Sequence, residues 1–345
     1  MQAYRITQWQ QGAQLCDVPV PEPGPGQVML KVAGNGICFS DVHAMYDWPA
    51  CPPHLQIELP LTLGHEVAGW VEACGPGVSG FETGTPCLVT VPGCGHCRAC
   101  AQGWNNYCVN PGKVVGLGSD GGLAEYVSVP VSAAVPLGAS IEPWQAAPLT
   151  DAGTSAYHAV NRVLPLLTPG STVIVIGIGG LGHMALGILK ALTAARIIAV
   201  DRSETALSLA ADLGADHCVL SNEDTAANVT EICAGRKVDA VLDFVGAGVT
   251  MELAAALISA LGHIVVVGRG HGAFEFKDRA LPYGATMSTT FGGSTYELMQ
   301  VVALAARGAI KPHITRYDLS DVQTAFDKLR AEEIVGRAVV VPDGH

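Results

Sequence analysis

Hydrophobic positions follow two different rhythms along this chain of 345 residues. As far as about residue 150, apolar residues come in short runs broken by glycine and proline. Examples are Gln27 to Val32 after PEPGPG, Val67 to Ala73 before GPGVSG, and Glu125 to Val129. Short runs between turn formers predict strands, and only the stretch after Ser40 offers a short helix. From about Gly153 short β-branched runs alternate with longer helical repeats. Strands are expected at Val173 to Ile176, Arg196 to Val200, Cys218 to Leu220, Ala240 to Phe244, His263 to Val267 and near Ala285 to Phe291. Between them fall helices from His183 to about Leu192, near Ser203 to Leu213, near Ala226 to Ala234, and at Met251 to Ala260. Helices alternating with apolar strands predict an α/β chain with a doubly wound parallel sheet. The last fifty residues add helices at Tyr296 to Arg307 and Ser320 to Ala331 and a terminal strand at Arg337 to Val341, and are expected to return to the first domain. The boundaries read 1–152, 153–291 and 292–345.

The stretch VIVIGIGGLGHMALGILKALTAARIIAVD, Val173 to Asp201, carries the clearest chemistry. A strand, glycines at 177, 179, 180 and 182, a helix, and a second strand ending on Asp201 form the Gly-x-Gly-x-x-Gly turn of a dinucleotide-binding βαβ unit, a Rossmann domain. Gly177 permits the turn, Gly179 admits a pyrophosphate to the backbone, and Gly182 brings the helix close to the sheet. Gly180 and Leu181 complete the loop, and the helix N-terminus faces the phosphates. Asp201 is expected to accept hydrogen bonds from the adenosine ribose, which favours NAD. Arg202 beside it is the residue that could accommodate a 2′-phosphate. The same stretch is nearly charge-free and almost long enough to span a membrane, but four glycines in six residues oppose one continuous helix. A structural loop that binds no phosphate is the other reading.

Composition narrows the class. A hydrophobic share of 49% with 14% charged residues fits a well-buried globular enzyme. A formal net charge of -12 with no basic cluster disfavours nucleic-acid partners. MQAYRITQWQ has no basic region before an apolar core, so the expectation is a cytoplasmic protein with no membrane partner. Of the 11 cysteines, Cys94, Cys97, Cys100 and Cys108 crowd into one short loop. Four thiolates at this spacing close a tetrahedral zinc site with no open position, a structural lobe; an iron-sulfur cluster is the alternative for that ligand type. His96 inside the loop is expected to be exposed and not to ligate. The remaining cysteines read mostly as small buried hydrophobes.

A second set is dispersed: Cys38 in GICFSD, His65 and Glu66 in LGHE, and Asp151 in PLTDAG, each in a glycine-flanked motif. With the four-cysteine lobe, the Gly-rich turn and the terminal GRAVV, in that order, the whole chain resembles the zinc-dependent medium-chain alcohol dehydrogenases. APLTDAG and SAYHAVNRVLPLL are most similar to the bacterial secondary-alcohol enzymes. The resemblance implies a GroES-like catalytic domain beside the Rossmann domain, and a catalytic zinc on Cys38, His65 and Asp151. Glu66 lies close by, Asp41 orients His65, and Ser40 and His43 form the proton relay. Arg337 is implied near the cofactor pyrophosphate. Asp151 stands where many members have cysteine, and Phe39 stands where many place Arg or His, which implies faster cofactor release. Phe39, Trp48 and Leu117 are expected to line an apolar substrate pocket.

The implied function is reversible hydride transfer between a secondary or primary aliphatic or aryl alcohol and NAD, with two zinc ions per chain, in a homodimer or homotetramer. A polyol or sugar dehydrogenase shares the architecture but needs polar pocket residues. A cofactor-binding protein without chemistry is the reading from another class.

Overall fold

The computed structural model describes residues 1–52, 57–138 and 140–344. The chain divides into two compact units. One comprises Met1–Asp151, Gly293–Ala306 and Ile314–His345, and the other Ala152–Gly292 and Arg307–His313.

The first unit is built on a seven-stranded sheet whose centre is the strand Gln27–Gly36. That strand pairs antiparallel with Glu66–Cys74, Tyr126–Pro130 and the terminal strand Arg337–Val341. Its alternate residues Val28, Leu30 and Val32 pack with Val67, Val71, Val127 and Val129 in one core cluster, the period of two that a pleated strand imposes. A second cluster gathers Tyr4, Ile6, Ile37 and Met45 with Phe326 and Val340 from the C-terminal segment. The last residues are thereby bound into this unit.

The second unit holds six parallel strands in the order His217–Leu220, Arg196–Asp201, Thr172–Ile176, Val238–Asp243, Ile258–Val266 and Thr286–Thr289. The order reverses between Thr172–Ile176 and Val238–Asp243, and such a switch point opens a crevice at the carboxyl ends of the strands. Thr172–Ile176 is buried at every residue. The α/β class and the doubly wound sheet are therefore as the sequence predicts. No helix among the described residues is long and apolar enough to cross a membrane.

Three segments differ from expectation. The helix expected to run to Ala260 ends at Leu257, because Ile258 already pairs with Val238 in the sheet. A helix at Ala152–Val163 was not foreseen; nine of its twelve residues are buried, the polar Thr154, Ser155 and His158 among them. The short exposed strand Ile314–Asp318, beside Arg337–Val341, carries no alternation to mark it.

Candidate active site

Cys38, His65, Glu66 and Asp151 meet in the first unit, one donor atom from each lying within 4.8 Å of the others. Asp151 Oδ2 is 3.7 Å from Cys38 Sγ and 3.8 Å from His65 Nε2. Bonds of about 2.3 Å to sulfur and about 2.0 Å to nitrogen or oxygen, at the tetrahedral angle, hold such donors about 3.3–3.6 Å apart. A small inward shift would thus let the three grip one zinc ion. Asp41, fully buried, prepares two of them. His65 Nδ1 lies 3.2 Å from Asp41 Oδ1, an arrangement in which the ring donates there and turns Nε2 toward Asp151. Asp41 Oδ2 accepts the Cys38 backbone N–H at 3.0 Å, fixing the turn that carries the thiol.

The electrostatics suit a cation. Burial alone would raise the Cys38 thiol, yet the Arg337 guanidinium and His65 outweigh it and lower it. Burial disfavours a charged His65, but Asp41 and bonds with Asp151, Asp41 and Cys38 drive it well above its ordinary value. Asp151, again against its burial, is held far below the usual carboxylate range by His65 and Arg337. The donor set, soft sulfur with imidazole and one carboxylate, fits zinc.

Glu66 reaches this cluster because of Gly36. The two are opposite partners in their ladder, and Gly36 also pairs with Val339 of the terminal strand. A β-carbon at Gly36 would fall 1.9 Å from Glu66 Oε2, so only glycine lets the carboxylate cross that strand. There Arg337 donates from Nε to Glu66 Oε2 at 3.1 Å and from Nη2 to Oε1, and Nη2 lies 3.4 Å from Asp151 Oδ2. Arg337, which the resemblance places near the cofactor pyrophosphate, is thus engaged by carboxylates of this cluster. Its residue is 4% exposed and its guanidinium is spent on two carboxylates, because a buried anion must be paired.

Cys94, Cys97, Cys100 and Cys108 also lie with their sulfurs within 4.8 Å of one another. Cys97 and Cys108 are 3.8 Å apart, about the sulfur–sulfur edge of a tetrahedron with 2.3 Å metal bonds. Backbone N–H groups of Cys94, Cys97 and Asn110 point at these sulfurs. The Cys97 thiol is held at about 6, first by the backbone N–H of Cys100 and then by that of Val109. Desolvation pushes Cys100 up to about 11, so a full set of thiolates calls for a divalent ion. His96 is exposed, its Nδ1 2.7 Å from the Cys94 carbonyl. Cys97→Ser is expected to lower the thermal midpoint and take bound zinc from two per chain to one, as metal analysis would read. Retention of both ions would show that the lobe holds none.

The Gly-rich turn occupies the second unit. Gly177 has φ +85°, open to glycine at no steric cost. A β-carbon at Gly182 would strike the Gly177 carbonyl at 1.9 Å, whereas one at Gly179 would meet nothing within 4 Å. Gly179 is exposed and Gly180 and Leu181 half-buried, so the loop borders open space wide enough for a ligand to approach. Asp201 braces the loop by accepting Ile178 N–H at 2.6 Å and Ser203 N–H at 2.8 Å. Arg202 beside it is exposed.

Ser40 Oγ lies 3.7 Å from Cys38 Sγ, and His43 Nδ1 faces Asp47 Oδ2 within the π-helical turn His43–Asp47. Phe39 heads the helix Phe39–Val42 and is 44% exposed. Trp48 packs against the cluster containing Tyr4 and Met45, and Leu117 is half-buried. Two positions that shape the surroundings of these residues escaped the sequence reading. Gly36 is one; its signal is a glycine two residues before a candidate metal ligand, Cys38. Asp243 is the other, wholly buried at the end of its strand and accepting Val245 N–H, Gly246 N–H and the Thr250 hydroxyl. An acid closing an apolar strand could have flagged it, as a strand-ending acid marked Asp201.

Residues 24–139 match the family model of the alcohol dehydrogenase GroES-like domain, and residues 180–307 that of the zinc-binding dehydrogenases. A NAD-dependent alcohol dehydrogenase from Sulfurisphaera tokodaii is 33% identical, the match covering 99% of this chain and 100% of that one. The crystal structure of the alcohol dehydrogenase from Aeropyrum pernix superimposes with a TM-score of 0.92 at 34% identity, over 99% and 100% of the two chains. D-arabinose 1-dehydrogenase (NADP(+)) from Saccharolobus solfataricus is 31% identical over 94% of this chain and 93% of its own.

Proposed function

The chain belongs to the zinc-dependent medium-chain alcohol dehydrogenase family, and from that premise we propose a NAD-dependent enzyme that interconverts simple aliphatic or aryl alcohols, secondary or primary, with ketones or aldehydes. The observation that carries the reading is the cluster of Cys38, His65 and Asp151, three ligands and not four closed thiolates. A zinc ion held there supplies Lewis acidity to a substrate oxygen and brings its ionisation toward neutral pH.

The chain's own residues do the rest. Asp41 holds His65 in the tautomer that leaves Nε2 available, and Arg337 neutralises Glu66 so that it does not compete as a fourth ligand. Ser40 and His43 pass the alcohol proton outward, with Asp47 holding the His43 ring. The turn from Gly177 to Gly182 and Asp201 hold the nucleotide that accepts the hydride. A second zinc in the cysteine lobe, a homodimeric or homotetrameric assembly and a cytoplasmic location complete the proposal. In support of the location, all 11 cysteines are free thiols.

Initial rates of NADH formation on primary, secondary and polyhydric alcohols test it. The apolar residues Phe39, Trp48 and Leu117 favour the simple alcohols over the polyol or sugar reading, to which the likeness to an arabinose dehydrogenase belongs. Best turnover on polyols would reverse that order, and no turnover on any alcohol would leave a protein without chemistry. For the cofactor, Asp201 repels a 2′-phosphate, so kcat/KM should favour NAD over NADP by about ten-fold or more, one charge-assisted hydrogen bond's worth. Higher efficiency with NADP would show that Arg202 overrides Asp201.

A further inference from the structure

His183 is 1% exposed and takes no part in the chemistry above. It follows Gly182 in the first turn of the helix Gly182–Leu192. Its Nδ1 lies 3.0 Å from the Gly179 carbonyl oxygen, and its Nε2 accepts the His313 backbone N–H at 3.3 Å. The second contact decides the tautomer. A backbone N–H can only donate, so Nε2 carries the lone pair and Nδ1 the proton. The Gly179 carbonyl thus accepts two bonds from one residue, from Nδ1 and from the His183 backbone N–H at 3.1 Å.

A trans peptide is planar, and its C=O and N–H point to opposite sides. Two bonds that draw the Gly179 carbonyl toward the helix therefore turn the Gly180 N–H away from it. Gly179 is exposed, and a β-carbon on it would meet nothing within 4 Å. Between two glycines a peptide is otherwise free to flip, which would set a carbonyl where a phosphate must come.

We propose that His183 is a positioning residue of the nucleotide cradle, holding the Gly179–Gly180 peptide with its N–H aimed at the cofactor pyrophosphate and tying it to the backbone at His313. The glycine pattern itself specifies no such side chain. The segment Arg307–His313 belongs to the second unit although the chain on either side of it belongs to the first. His183 is thus also one of the bonds that fasten this excursion to the cofactor unit. The proposal rests on the reading of Gly177 to Gly182 as the nucleotide site.

Titration of the zinc-loaded enzyme with NADH, followed by fluorescence, tests it on four variants. Asparagine keeps an amide nitrogen where Nδ1 stands and has nothing at Nε2. His183→Ala should weaken NADH binding about ten-fold and raise KM for NAD similarly, with kcat at saturating NAD kept within about two-fold. His183→Asn should recover affinity to within about three-fold of wild type. If alanine unfolds the turn, His183→Phe fills the space without a donor and is read in the same way. Wild-type affinity in the donor-free variant, or an asparagine variant as weak as it, overturns the proposal. Gly179→Val separates the two readings, because normal NADH binding there would overturn the nucleotide site itself.

Discussion

Asp151→Asn is expected to lose the zinc held by Cys38 and His65, and with it most turnover, while NADH binds as before. Asp151 Oδ2 lies 3.7 Å from Cys38 Sγ and 3.8 Å from His65 Nε2. Asparagine keeps the shape but removes the charge, so the divalent ion is left with one anionic ligand, Cys38. Removing even an outer-shell partner costs about 10–100-fold in affinity or activity, and a ligand should reach the upper end, about 100-fold in kcat/KM. If Asp151 served only as a cap before the helix Ala152–Val163, the same change would cost about 1 kcal/mol of stability and leave turnover intact. Zinc content should fall from two per chain to one, and Cys38→Ser and His65→Ala should behave alike. NADH affinity should hold because the Gly-rich turn belongs to the other compact unit. A fully active variant with both zincs would refute the assignment and leave Glu66 as third ligand, against the claim Arg337 has on it.

The second unit was legible because its periodicity is strong and local. A β-branched strand, glycines at fixed offsets and an acid at the next strand end need no knowledge of distant residues. The first unit was less so: Leu61–Thr62 is two residues long, and Gln14–Asp17 has no alternation between buried and exposed positions. The proposed zinc ligands could be named from their motifs, but their supports could not. That Arg337 faces Glu66 depends on the register placing Gly36 opposite Glu66 and beside Val339, a fact of sheet pairing across most of the chain. The resemblance places Arg337 near the pyrophosphate, but its contact with Glu66 comes from the space left by a missing β-carbon. His183 was hidden for a related reason. In the sequence it reads as one helix residue, and only its two bonds give it a task.

The heaviest loss of stability should come from Arg337→Met, about 3–5 kcal/mol, the usual result of stripping the partner from a buried charge. With Cys38, Glu66 and Asp151 all ionised the cluster would carry three negative charges against one positive on Arg337, which would leave two to match a divalent ion. Burial already holds the Glu66 carboxyl well above its ordinary value, and the guanidinium offsets only part of that rise. Without Arg337 it must take up a proton or turn to the metal as a fourth ligand, closing the place a substrate oxygen needs. Glu66→Gln is the converse case. The guanidinium, still buried, would turn to the partner it already has 3.4 Å away, Asp151, and draw it from the metal. Both single variants should therefore lose stability and zinc. Glu66→Gln with Arg337→Met removes both charges, and a buried pair replaced by neutral groups is often close to neutral, so the double variant should return to within about 1–2 kcal/mol of wild type. Denaturant midpoints of the four proteins close the cycle. A double variant as unstable as the sum of the singles would mean the two residues act independently, and Arg337→Met within about 1 kcal/mol of wild type would mean the guanidinium does not lie buried against Glu66 in solution.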